Sequence, residues 1–147
     1  MQIDPLTGLP DRRELTAALR EMLGGNEAPA LFAVSVDGYR ALVAERPAEA
    51  DVAIREVVAR LSRLVRADDV LAVLAPGVFA LAGPGVEDGD TDVVVERIRG
   101  AFAMPVDVGG EAVSFPVTVG VAHPTDGAVA TDMILAAEAD LGRRLGA

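Results

Sequence analysis

The 147 residues contain no cysteine, so neither a disulfide framework nor a thiolate metal site can form. Tryptophan is absent and aromatics make up 3% of the chain. The core must therefore be built from Val, Leu, Ile and Ala, and a base-stacking platform for single-stranded nucleic acid is not expected. The one histidine, His123, leaves little scope for a His-based metal centre or a catalytic triad; beside Pro124 it reads as a loop residue. No apolar run approaches the roughly 20 residues of a membrane span. The opening MQIDPLTGLPDRREL lacks the basic-then-apolar order of a signal peptide, and a soluble, cytoplasmic protein is expected. Basic residues number 13 against 23 acids, a net charge of −10 that repels phosphate backbones and anionic lipid. No nucleic-acid or membrane partner is expected, and a phosphate-bearing ligand would need a local cluster of arginines.

Hydrophobic residues make up 51% of the chain, enough for the core of one domain spanning residues 1–147. Asp11 can cap a helix whose stripe runs Leu15, Ala18, Leu19, Met22 and Leu23, stopped by Gly24 and Gly25. ALFAVSV (30–36) is a near-continuous apolar run, a strand covered on both faces. A short helix follows, broken at Pro47. In the next segment Ile54, Val57, Val58, Leu61, Leu64 and Val65 fall at helical spacing, with Arg55, Arg60 and Arg63 mostly off that face. VLAVLAPGVFALAG (70–83) is a hairpin turning at Pro76 and Gly77, with no acid at its tip. A helix over DTDVVVERIRGAFAM, a small hairpin at Gly109-Gly110, a strand VTVGVA and a closing helix complete the order α-β-α-α-β-β-α-(ββ)-β-α. Such mixed elements predict an α/β or α+β layer.

Several of these segments, in this order, resemble the GGDEF (diguanylate cyclase) family. DPLTGLPDRREL (4–15) is similar to its opening D-x-L-T-G-L-x-N-R, with Asp11 for Asn, and VSVDGYRAL to its D-x-D-x-F-K. The hairpin at 70–83 occupies the place of the Gly-Gly-Asp/Glu-Glu-Phe loop, and VTVGVAHPTDG with MILAAEADL resembles the last strand and helix. The resemblance implies a central, mostly antiparallel five-stranded sheet flanked by helices, with a small extra hairpin. It also implies condensation of two GTP molecules to cyclic di-GMP by a dimer in which carboxylates hold Mg²⁺.

Carried over residue by residue, the metal positions do not match. The first metal-binding Asp falls on Ser35, while the second Asp of the pattern is Asp37. The five loop positions fall on Ala75, Pro76, Gly77, Val78 and Phe79, of which Phe79 alone agrees. The Lys of the pattern is Arg40, the guanine-reading Asn has no counterpart, and Pro76 removes an N–H that could meet a phosphate. An inactive cyclase with no cofactor and no metal is therefore expected. Asp37 and Asp51 provide too few oxygens for Mg²⁺ and read as solvated loop acids. The acidic loop Gly83–Asp92 complements a helix dipole and does not read as a nucleotide cradle.

The family's separate product-binding motif R-x-x-D, five residues before the loop, is matched by Arg66 and Asp69, and VERIRG places Arg97 where a second arginine is usual. Guanidinium groups pair bidentately with phosphate and stack on guanine, and a carboxylate accepts from guanine N–H groups. The resemblance thus implies a cyclic di-GMP receptor, with the ligand bridging or ordering a homodimer. The same residues also fit ordinary charges complementing a helix end and a solvated helix face. On that reading the chain is a pseudoenzyme contacting a protein partner without nucleotide.

Overall fold

A computed structural model describes residues 3–124 and 129–146. Its elements are α1 (Arg12–Leu23), β1 (Pro29–Val36), α2 (Tyr39–Glu45), α3 (Pro47–Ser62), β2 (Val70–Ala75), β3 (Val78–Pro84), α4 (Thr91–Ala101), β4 (Val106–Val108), β5 (Glu111–Val113), β6 (Val117–Ala122) and α5 (Ala130–Leu145). This is the order expected from the sequence. Local chemistry explains the boundaries. Asp11 accepts from the Glu14 N–H at the start of α1. Pro47 opens α3, where its missing N–H leaves no intrahelical bond unmade.

The main sheet has the order β2-β3-β1-β6, with every neighbouring pair antiparallel, and β4 and β5 form the separate small hairpin. The class is the α+β layer anticipated, but the expected five-stranded sheet has four strands among the described residues. Among the described residues no further strand pairs with the outer edge of β6. There the Asp140 carboxylate of α5 accepts the Val121 N–H at 2.8 Å.

Strand alternation divides the interior by side-chain size. Phe32, Val34, Phe79 and Leu81 point to the face covered by α3 and α4. Ala33, Ala72, Ala80 and Ala82 point to the face covered by α1 and α5. Small residues let α5 approach the sheet backbone closely. At Gly120 an added Cβ would lie 2.5 Å from the Ala137 carbonyl and collide with the Leu141 backbone. A bidentate pair from Arg12 to Glu138 ties α1 to α5 across this layer. Arg60, expected off the buried stripe, is folded inward with its side chain 12% exposed. Its guanidinium donates to the carbonyls of Ala101, the last residue of α4, and of Pro105 just beyond it, and lies over the Phe102 ring.

Candidate functional site

Pro76 and Gly77 make the tip between β2 and β3. Proline fixes φ near about −65°, and Gly77 has φ +75°, the pair of values that a type II turn requires. Two-residue hairpins normally use turns with positive φ at the first central position, which proline cannot adopt. The register shift between Val73 and Ala75 absorbs the mismatch in twist. The tip is pressed onto Tyr39: a Cβ on Gly77 would stand 3.0 Å from the ring.

The sheet places this tip beside the end of β1. Ser35 pairs with Val78, and the Val36 N–H donates to the Gly77 carbonyl at 2.8 Å. Positions 35, 37, 77 and 78, assigned from the sequence as one site, are thus neighbours. Asp37 is the carboxylate among them, and both its oxygens are engaged. Ser35 Oγ donates to Oδ1 at 2.9 Å and Thr118 Oγ1 to Oδ2 at 2.8 Å. Asp51 lies exposed on α3. Among the described residues no three His, Cys, Asp or Glu side chains come together as a metal site.

On the far side of the sheet Arg66, Asp69 and Arg97 line one narrow crevice of about 30 Å³, walled by Leu64, Val86 and Val94. Asp69 closes the turn into β2. Its Oδ2 accepts the Arg66 N–H at 2.9 Å and lies 3.5 Å from Arg66 Nε. The Asp69 side chain is 8% exposed and that of Arg66 64%. The carboxylate rests in space left by Gly83, where a Cβ would strike it. Arg97 projects from α4, exposed and without a hydrogen bond or ion pair among the described residues. His123 meets Thr91 Oγ1 at 2.9 Å, joining the end of β6 to the start of α4.

An apolar opening lies between the turn at 4–11, Tyr39 and the hairpin tip. It encloses about 400 Å³ and is floored by Tyr39, Ile54, Val73 and Phe79. Asp4, Asp11, Arg12 and Arg13 stand around it. The turn is self-supporting: Asp4 Oδ2 accepts from the Thr7 N–H and hydroxyl, and the Pro10 carbonyl takes the Val73 N–H on the edge of β2.

The sequence matches the family described as "Diguanylate cyclase, GGDEF domain" over residues 1–144. The chain belongs to the GGDEF family. Among curated proteins this GGDEF domain is 26% identical over 142 residues to the bifunctional diguanylate cyclase/cyclic di-GMP phosphodiesterase MucR of Pseudomonas aeruginosa, covering 92% of this chain and 21% of MucR. The chain spans less than a quarter of the length of the curated relatives it matches. A sensory box/GGDEF family protein from Caulobacter crescentus superimposes with a TM-score of 0.88 at 21% identity, covering 99% of each chain. The GGDEF domain of DgcB from the same organism, solved in complex with c-di-GMP, gives 0.82 at 21% identity, covering 97% of this chain and 86% of that one. At such identity these superpositions establish the fold.

Within this GGDEF domain the structure brings together both sets of residues singled out in the sequence. Reading the sequence missed three features. Gly83 makes room for Asp69, Gly120 makes room for α5, and the cavity beneath Tyr39 forms from segments distant in sequence. The signal for the last was Tyr39 standing where the family pattern has Phe.

Proposed function

We propose that this GGDEF domain is catalytically inactive and binds cyclic di-GMP at the crevice of Arg66, Asp69 and Arg97. The observation that carries the reading is the convergence of two arginines, one without an acidic partner among the described residues, in a chain of net charge −10. Two guanidinium groups against the one carboxylate of Asp69 leave an excess positive charge that an anion would complete. The crevice is too shallow to enclose a guanine. The ligand therefore lies across its mouth, with phosphates on the exposed guanidinium groups and a base against Leu64, Val86 and Val94. Asp69 retains Oδ1 as an acceptor for guanine N–H groups, because the hydrogen bond from the Arg66 N–H uses Oδ2. The ligand in the DgcB structure, a relative of the same fold, supports the ligand class.

Inactivity follows from the other cluster. Phosphoryl transfer needs oxygen ligands to hold Mg²⁺ against the triphosphate. Ser35, Gly77 and Val78 supply no carboxylate, and Asp37 already accepts two hydroxyl hydrogen bonds.

Calorimetric titration with cyclic di-GMP and with GTP tests both parts. Saturable cyclic di-GMP binding is expected, weakened about ten- to a hundredfold by Arg66→Ala or Arg97→Ala, the range for losing one charge-assisted contact. Heat from neither nucleotide would favour the protein-interaction reading. Turnover of GTP in the presence of Mg²⁺ would overturn inactivity.

A further inference from the structure

Gly83 is an anomaly in β3. It is buried inside the strand and pairs with Ala30 of β1, a place where glycine costs chain entropy and packs no side chain. Its backbone does not call for glycine, because its φ is not positive. Nor does a neighbouring backbone: the nearest atoms that a Cβ would meet all belong to the Asp69 side chain, Oδ1 first. By strand alternation position 83 shares a face with Phe79 and Leu81, and Leu81, Gly83 and Asp69 line the crevice of the two arginines together. The space at Gly83 is therefore matched to a carboxylate of that crevice. We propose, on the reading that cyclic di-GMP binds here, that Gly83 sets the purine selectivity of the site: it seats the Asp69 carboxylate against β3 with Oδ1 turned to the ligand, where that oxygen takes guanine N–H groups and rejects adenine.

The seat fixes one orientation of the carboxylate. Oδ2 is held by the Arg66 N–H at 2.9 Å, and the Asp69 side chain is 8% exposed. Oδ1 takes no hydrogen bond from that turn, and no fully enclosed side-chain oxygen is left without a partner among the described residues, so Oδ1 reaches the open crevice. A carboxylate oxygen can only accept. Guanine meets it with N–H donors, whereas adenine presents a ring-nitrogen lone pair at the same edge, so one base is attracted and the other repelled. A site built to hydrogen-bond one ligand leaves its own group unpaired against the other, which is the condition for strong rejection. With a Cβ at position 83 the carboxylate moves out of its seat into the crevice mouth. There it loses its orientation and competes with phosphate for Arg66 and Arg97.

Calorimetric titration of the whole chain with cyclic di-GMP and with cyclic di-AMP tests this. The unsubstituted protein should prefer cyclic di-GMP by about ten- to a hundredfold, the range for one charge-assisted contact. Gly83→Ala should weaken both ligands and reduce the preference to about threefold or less. Asp69→Ala should erase the preference while leaving cyclic di-AMP binding intact, and adding Gly83→Ala to it should change neither affinity. Loosening of β3 by itself would weaken both ligands equally and keep their ratio. A preserved ratio in Gly83→Ala, or equal affinity of the unsubstituted protein for the two ligands, overturns the role of Gly83 and leaves the cyclic di-GMP reading standing. Binding of neither ligand overturns that reading and the role of Gly83 with it.

Discussion

Gly83→Ala is the substitution through which the arginine crevice can be examined most directly. Gly83 lies in β3 without positive φ, so alanine is conformationally acceptable there and by itself would stabilise by about 0.5–1 kcal/mol through lower chain entropy. The new Cβ, however, lands on the Asp69 carboxylate. The colliding atoms are the end of a side chain, so the carboxylate swings out and β3 need not move. The lost interaction is a charge-assisted bond from the Arg66 N–H at 2.9 Å, with weak help from Arg66 Nε at 3.5 Å. A bond to a charged group contributes about 1.5–3 kcal/mol, and the exposure of the Arg66 side of this one places it near the lower limit. Gly83→Ala should therefore destabilise by about 0.5–1.5 kcal/mol net, and Asp69→Ala by about 1–2 kcal/mol. In the double variant no carboxylate remains to collide, and Gly83→Ala should become neutral or slightly stabilising. The coupling, about 1–2 kcal/mol, is measurable by urea unfolding of the four proteins in a double-mutant cycle. Additive effects would refute the claim that Gly83 acts through Asp69. So would a large loss from Gly83→Ala in the Asp69→Ala background, because the clash would then lie with the backbone.

Two further outcomes follow from the packing and the charges. Gly120→Ala places a Cβ against the backbone of α5, which cannot rotate away. Overpacking of about 1–3 kcal/mol exceeds the entropy gain, so Tm should fall by several degrees, whereas Gly142→Ala, with nothing within 4 Å, should raise it. The Asp140 carboxyl is pushed upward by burial, but the Val121 N–H, Arg144 and Arg143 outweigh this and hold it below the usual range. In that window the unfolded chain binds the proton more readily than the folded one, so stability falls as pH drops below about 4. Asp140→Asn should flatten that acid limb of the stability profile; an unchanged limb would show that Asp140 has no part in it.

The element order was legible because each element carries a local signal: Asp11 as a cap, Pro47 as a helix start, Pro76-Gly77 as a turn, and apolar spacing that changes between strand and helix periods. The two clusters were legible through resemblance, since motif positions that adjoin in a shared fold adjoin here as well. Arg60 was misplaced because periodicity assigns a charged residue to the solvent side. Only the tertiary structure reveals carbonyls at the end of α4 and just beyond it that take this donor.

By itself the sequence determined the class of fold, the absence of acids from the hairpin tip, and the pairing of Arg66 with Asp69 at a spacing of three residues. Tertiary structure decided how many strands the sheet has and which oxygens of Asp37 and Asp69 are already used. It also decided which glycines are required by their neighbours and where an empty cavity remains. Hydrophobic period and turn chemistry act between residues a few positions apart, so a linear reading recovers them. Cavities, close approaches and satisfied lone pairs arise between segments distant in the chain, and exist only once those segments have packed.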